Sequence, residues 1–547
     1  MSRSAKPLLK KAAEPRTARP QCRGDRAPAP CGDELMKDNH VRVIGCGGWA
    51  EARALSAGSR MGRALHCRLR RVVAGIASAA CGIAALCSAA PPPGQGMRVG
   101  LAATDITPPL GLPMAGYYHA RGAEGVLDPL FSKAMVLELD GRRAAFVVVD
   151  LISVTRAVTD RARAAIHQAT GIPDDHVMIS ATHAHTGPEL AGRSRRSDDL
   201  GAQQPGAVEY TERLPGLIAA SVRLAFQRLE PARLSVAKGR CEDLAFNRRY
   251  FMRDGRTAWN PGKLNPDIVL PAGPADPEVG VLCVESAEGG RRGRPLATYV
   301  NFAMHPDTTG GSQFSADWPG ALSRVLAGCH GSNHLTLLAN GACGNVNHVD
   351  PSWAWPQKGP GEAHRIGVLL GAAVFQTCKH LAPVTPGPLR ARSEIVEVEA
   401  PPLAPGEAEE ARNTVAALKD DRGGNFMKLV RAYRALAIAD RQGRPHQLEV
   451  QAVALGPELA WIGLPGELFV ELGLAIKKNS PFTHTFVVEL ANDNVGYLPD
   501  RRSYAEGAYE PESSRCAPGS GEKLANAAIQ LLKQLHRENG GSAPPPQ

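Results

Sequence analysis

The run Val177-Met178-Ile179-Ser180 reads as a buried strand, and it leads straight into Thr182-His183-Ala184-His185-Thr186-Gly187-Pro188. A strand that delivers reactive side chains just beyond its C-terminal end is how open α/β folds place their sites. In extended chain, residues i and i+2 point to one face, so this reading aims His183 and His185 at a single centre. The motif recurs. Leu296 to Met304 is a strand ending at His305, and Leu335 to Ala339 is a strand ending in the glycine-rich loop Asn340 to Asn347.

The rest of the chain from Met97 alternates in the same way. Ala134–Leu139 and Ala144–Val149 read as strands paired across the turn Asp140-Gly141-Arg142. Thr155 to Thr170 reads as an amphipathic helix stopped by Gly171, and Leu214 to Leu229 as another. Residues 406–440 form a helical excursion of two helices around Gly423-Gly424. Strands resume at Glu449–Leu455 and Ala460–Leu464, a helix opens at Gly466-Glu467, and Glu522–Glu538 is the last helix. No repeat or linker interrupts the span. The expectation is an α/β (mixed α+β) fold: a single large domain over 97–537, its mixed sheets flanked by helices, with 538–547 a flexible tail.

The formal charge of +9 suggests a polyanion partner until it is located. Residues 1–90 hold 16 of the 63 Lys and Arg but only 6 of the 54 Asp and Glu, so the remainder carries 47 basic against 48 acidic groups. The body is neutral, which argues against nucleic acid as a partner. Arg68, Arg70 and Arg71, then the apolar run Val72–Leu86, then Ser88-Ala89-Ala90 follow the pattern of a secretory signal peptide over 61–90. That placement implies a start at Met61, with 1–60 a disordered or over-extended N-terminus, and an exported, periplasmic or secreted product. An uncleaved signal anchor is the alternative. Of the cysteines beyond the signal, Cys241, Cys283, Cys329, Cys343, Cys378 and Cys516, no two stand in a Cys-x-x-Cys pair. A cysteine zinc site is therefore not expected, while disulfides and buried free thiols both stay open.

Two imidazoles side by side are a natural start for a zinc site, which takes three protein ligands and keeps one position for water. Alone, His305 reads equally as a hydrogen-bonded structural histidine, Glu467 as a helix cap and Tyr497 as core packing. The glycine-rich loop Asn340–His348 offers backbone N–H groups for an oxyanion, or else is a tight turn; it lacks the Gly-Lys-Ser/Thr ending of a Walker A loop.

Taken in order, several segments resemble the catalytic-domain part of the neutral/alkaline (non-lysosomal) ceramidases. They are Ala103-Thr104-Asp105-Ile106-Thr107-Pro108, Met114-Ala115-Gly116-Tyr117, Val149-Asp150-Leu151 and Ser180 to Pro188. Asn247-Arg248, Phe302 to Pro306, Ser315-Ala316-Asp317, the 340–347 loop, Leu464-Pro465-Gly466-Glu467 and Tyr497 complete the set, within residues 98–510. The resemblance implies a zinc-dependent amidase. It implies metal ligands at His183, His305, Glu467 and Tyr497, with His185 beside the metal to orient or transfer a proton and Arg248 in the active site. One departure stands out. The family's Gly-Asp-Val-Ser-Pro-Asn loop aligns with Gly344-Asn345-Val346-Asn347-His348-Val349, so Asn347 replaces the serine. Asn347 can hydrogen-bond substrate or water but cannot act as a nucleophile.

The resulting expectation is Zn2+-dependent cleavage of an amide in a small-molecule or lipid N-acyl substrate, of sphingolipid type, by metal-activated water. Tyr497 and Arg248 would steady the oxyanion. Peripheral membrane contact is compatible with such a substrate. Alternatives are an esterase or peptide-like amidase on another substrate, and a catalytically impaired binding scaffold.

Overall fold

The computed structural model describes residues 96–419 and 424–541. The expected N-terminal segment 1–60, the signal peptide 61–90, Gly423 and the tail beyond Gly541 lie outside the described residues.

Strict alternation in the strands builds a sheet with two apolar faces. In Phe131–Leu139, Ala134 and Val136 face one core while Met135 and Leu137 face another; Arg142–Val149 divides likewise. The nine-stranded sheet runs in the order Leu335–Asn340, Pro295–Phe302, Glu278–Ser286, Glu230–Arg240, Arg98–Asp105, Phe131–Leu139, Arg142–Val149, Val177–Ala181, with Ala382–Pro383 paired to Glu230–Arg240 off this path. One face is covered by the helices Arg156–Thr170 and Pro205–Gln227 through Val158, Ile166, Leu214, Ile218 and Val222. The other packs on a four-stranded sheet, Leu389–Val398, His446–Leu455, Leu459–Gly463 and His484–Val488. Between the sheets Phe146 meets Trp461 with centroids 4.4 Å apart, and Tyr299 stacks on Phe486 at 5.5 Å. The helices Val470–Asn479 and Ser520–Glu538 cover the far side of the second sheet. The mixed α/β expectation holds, as a layered helix–sheet–sheet–helix arrangement.

In the two large sheets three strand pairs are parallel, and each is joined by a helical crossover: Arg142–Val149 with Val177–Ala181, Pro295–Phe302 with Leu335–Asn340, and Leu459–Gly463 with His484–Val488. The C-terminal ends of these strands supply His183, His305, the 340–347 loop, Glu467 and Glu489. The two sheets touch at those ends, where Ala181 N–H donates to Leu490 O at 3.3 Å.

Several boundaries differ from expectation. The helix expected from Leu214 starts at Pro205 and ends at Gln227; Pro215 sits inside it rather than near its start. The strand expected to reach Met304 ends at Phe302. No helix opens at Gly466-Glu467: Glu467–Leu468 is a two-residue strand and the helix begins at Val470. All six described cysteines are free.

Candidate metal centre

His183 and His185 do converge, their Nε2 atoms 3.3 Å apart, but not through strand alternation. The strand ends at Ala181, and His183 has φ +72°, in the left-handed region. That conformation costs a non-glycine residue roughly 1–3 kcal/mol and persists only where neighbours enforce it. Here His183 N–H donates to Leu151 O at 2.9 Å, and the ring Nδ1 donates to Ile152 O at 2.8 Å. His305 is fixed similarly: its backbone N–H donates to Val346 O at 3.2 Å and its Nδ1 to Cys343 O at 2.8 Å. Glu467 and Tyr497 are brought side by side by a short parallel pair in which they are register partners.

A carbonyl oxygen can only accept, so His183 and His305 carry a proton on Nδ1, and as neutral rings they turn the Nε2 lone pair to the centre. Both Nε2 atoms lie 3.4 Å from Glu467 Oε2, which itself has no hydrogen-bond donor. One donor atom each from His183, His185 and His305 falls within 4.8 Å of the others, and all three rings are shielded from solvent. Buried lone pairs and a carboxylate oxygen aimed at one another repel unless a cation stands between them. A metal ion fits that need, and the Nδ1–carbonyl pairs are the outer hydrogen bonds such ligands use. Burial, with Arg248 and His183 adding to it, pulls His305 down to about 3, and burial with the other two imidazoles holds His185 well below its ordinary value. Without a cation the centre draws protons instead: burial would lower His183 but Glu467 raises it above its ordinary value, and burial would raise Glu467 but His183 and His305 hold it well below the usual carboxylate range. His185 differs from its neighbours in one respect. Its Nδ1 has no hydrogen bond and faces Asp307 Oδ1 at 3.8 Å, so no carbonyl pins its tautomer.

Arg248 is buried beside this cluster. Its Nε donates to Glu510 Oε1 at 2.7 Å, and Nη2 donates to Gly344 O at 2.7 Å and to Tyr497 Oη at 3.0 Å. The glycine-rich loop proves opposite in polarity to an oxyanion hole. Its N–H groups at Gly341, Cys343, Gly344 and Val346 are taken by Phe302 O, Glu489 Oε2, Leu468 O and Cys343 O. What it turns inward are carbonyls, to His305 and Arg248. Asn345 accepts from Val470 N–H at 2.9 Å, at the first residue of the distant helix Val470–Asn479. Asn347 donates to Asn260 Oδ1 at 3.1 Å and accepts from Val349 N–H at 3.0 Å; it borders the site without lining its cavities.

Glu489 was not anticipated. Fully buried, it accepts from Cys343 N–H, the Cys343 thiol and Leu468 N–H at 3.0, 2.8 and 3.1 Å, tying the loop behind His305 to the strand of Glu467. Burial pushes its carboxyl up to about 8. An acid closing the apolar run Phe486-Val487-Val488 was the available signal. Equally unforeseen, His185, Arg248 and Tyr497 open into a cavity of about 360 Å3 lined by Tyr117, Trp259, Phe426, Leu429 and Tyr509. Trp259 packs on Tyr509 and Phe426 at 4.8 and 5.8 Å.

Fold and site together define a layered α/β protein with a buried three-histidine, one-carboxylate centre of metal-ligand type. Residues 97–306 match the family model of the neutral/alkaline non-lysosomal ceramidases, N-terminal region, so this stretch carries that family's sequence pattern. The chain is 23% identical to the neutral ceramidase of Pseudomonas aeruginosa over 521 residues, which is 82% of this chain and 74% of that one. Its fold is similar to the crystal structure of neutral ceramidase from Pseudomonas aeruginosa, with a TM-score of 0.64 at 21% identity over 83% of this chain and 77% of the other. A ceramidase complexed with C2 superposes almost equally, with a TM-score of 0.63 at 21% identity and the same coverage.

Proposed function

We propose that this protein is a zinc-dependent hydrolase that cleaves the amide bond of an N-acyl lipid, the substrate class to which the names of its ceramidase relatives point. One observation carries the reading: the Nε2 atoms of His183 and His305 converge on a Glu467 carboxylate oxygen that has no hydrogen bond, with His185 beside them. Two imidazole nitrogens and a carboxylate oxygen, with room left for water, are a donor set that suits zinc.

The zinc ion, when bound, supplies a water of lowered pKa and polarises the scissile carbonyl. His183, His305 and Glu467 would hold the ion, with Tyr497 at the rim. His185 is kept neutral by burial and free in tautomer, and it accepts a proton and returns it to the leaving amine. Tyr497 Oη accepts from Arg248, which leaves its own hydrogen to donate to the developing oxyanion. Because Arg248 is anchored on Glu510 and Gly344 O, this pair needs no reorganisation when charge develops. Asn347 is held by Asn260 and Val349, and water rather than a side chain is the nucleophile. The aromatic cavity at Trp259 and Phe426 takes the acyl chain.

The reading includes export, for which the segment ending Ser88-Ala89-Ala90 is the support. It also includes peripheral contact with lipid: Trp353 and Trp355 stack at 6.0 Å, both exposed, near exposed Leu264, whose N–H donates to Pro351 O at 2.7 Å. The experiment is fatty-acid release from N-acyl sphingosine and simpler N-acyl amines, followed by mass spectrometry. Activity lost on chelation and restored by zinc is expected; zinc-loaded protein that releases no fatty acid, or chelator-insensitive release, would overturn the proposal.

A further inference from the structure

A second chamber, of about 100 Å3, opens from the same His183, His185, Glu467 and Tyr497, and five arginines line it: Arg193, Arg195, Arg196, Arg434 and Arg515. Two have acidic partners. Arg193 pairs with Glu189 at 2.6 Å and Arg195 with Asp440 at 2.9 Å. Among the described residues, Arg196, Arg434 and Arg515 form no ion pair. Arg196 lies over the Tyr118 ring, 4.2 Å from its centroid, and Arg434 Nε donates to Ser514 O at 2.9 Å. Burial, with Arg196 and Arg193 nearby, holds Arg515 below the ordinary arginine value. A wider groove of about 800 Å3 continues outward past Arg193, Arg195 and Arg515 to Arg441 and Arg444.

Like-charged guanidinium groups gathered in a recess destabilise one another, and an anion bound among them removes that penalty. Guanidinium is also the side-chain group shaped to bind an oxyanion through two hydrogen bonds. The aromatic cavity and the cationic chamber meet at His185, Tyr497 and Tyr509. A substrate whose amide lies at the metal centre therefore has one apolar arm and one arm facing fixed positive charge.

We infer that the preferred substrate is an acidic N-acyl amine, with its acyl chain in the Trp259/Phe426 cavity and a carboxylate on the amine half held by Arg515, Arg196 and Arg434. This inference rests on the amide-hydrolase reading and narrows it, because ceramide itself carries no such charge. The arginine chamber neither ligates the metal nor touches the scissile bond; its work is selection.

The test pairs N-lauroylglycine with its uncharged twin N-lauroylglycinamide. The zinc-loaded wild type should show kcat/KM about ten-fold or more higher for the acid, the size of a charge-assisted hydrogen bond. Arg515→Gln should collapse the ratio of the two, and Arg515→Lys should retain part of it, which loss of folding alone would not do. Equal or reversed preference in the wild type, or a ratio unchanged in both variants, would overturn the inference. If neither compound is cleaved while N-acyl sphingosine is, the inference is overturned and the amide-hydrolase reading stands; if N-acyl sphingosine is not cleaved either, that reading fails and calorimetry decides the chamber separately. Tighter binding of N-lauroylglycine than of the glycinamide, lost in Arg515→Gln, supports an anion site; equal binding overturns it.

Discussion

Arg248 offers a perturbation in which stability and turnover should part company. Replacing it with Met strands the Glu510 carboxylate, which is fully buried and would keep only Arg249, 3.8 Å away. Gly344 O and Tyr497 Oη lose their donor as well. Breaking a buried pair from one side costs about 3–5 kcal/mol, and the residual attraction of Arg249 places the loss near the lower end, about 3 kcal/mol. Adding Glu510→Gln removes the stranded charge, so Arg248→Met/Glu510→Gln should regain about 1–2 kcal/mol over Arg248→Met. Turnover should not follow, because the group that holds Tyr497 is absent from both; a loss of about 10²–10³ in kcat is expected for each. Guanidinium unfolding of the wild type and the two variants, read from midpoints at constant slope, gives the stability side. The reasoning is refuted if the double variant is no more stable than Arg248→Met, or if Arg248→Met costs under about 1 kcal/mol.

Gly116 has φ +111°, and a Cβ there would lie 2.8 Å from His185 Cβ and O and 2.9 Å from its Nδ1. Gly116→Ala should therefore cost about 2–4 kcal/mol and displace His185, cutting kcat more than ten-fold; a fully active Ala variant would show the contact is not tight. Glu489 is raised by burial from 4.5 to about 8, so the folded state binds more protons than the unfolded one between those values. Metal-free protein should lose stability as pH rises from about 5 to about 8, and Glu489→Gln should flatten that part of the profile; a slope unchanged in the variant assigns it elsewhere.

Much of the fold was written in local pattern. The period-two strands around Asp140-Gly141 and the helix stopped at Gly171 form as their residues dictate, because each is decided by neighbours in sequence. His183 and His305 were legible as strand-end residues, yet the geometry that joins His183 to His185 is a left-handed turn that alternation does not encode. Gly466-Glu467 reads locally as a helix start, but Tyr497, paired to Glu467 from across the sequence, makes it a strand. The loop at 340–347 misled for a related reason. Glycines announce a turn but not which way its peptides point, and that is settled by Glu489, 146 residues from Cys343. Glu510, 262 residues from Arg248, belongs to the same class. Such partners are fixed by tertiary approach alone.

Metal content shows most directly whether His183, His305 and Glu467 hold an ion. Protein produced with the segment through Ala90 removed would be analysed by inductively coupled plasma mass spectrometry beside His183→Ala/His305→Ala and Arg515→Gln. The account predicts about one zinc per chain in the wild type and in Arg515→Gln, and none in the double histidine variant. Folded wild-type protein that holds no metal and takes up none from added zinc would contradict it, as would zinc retained after both histidines are gone.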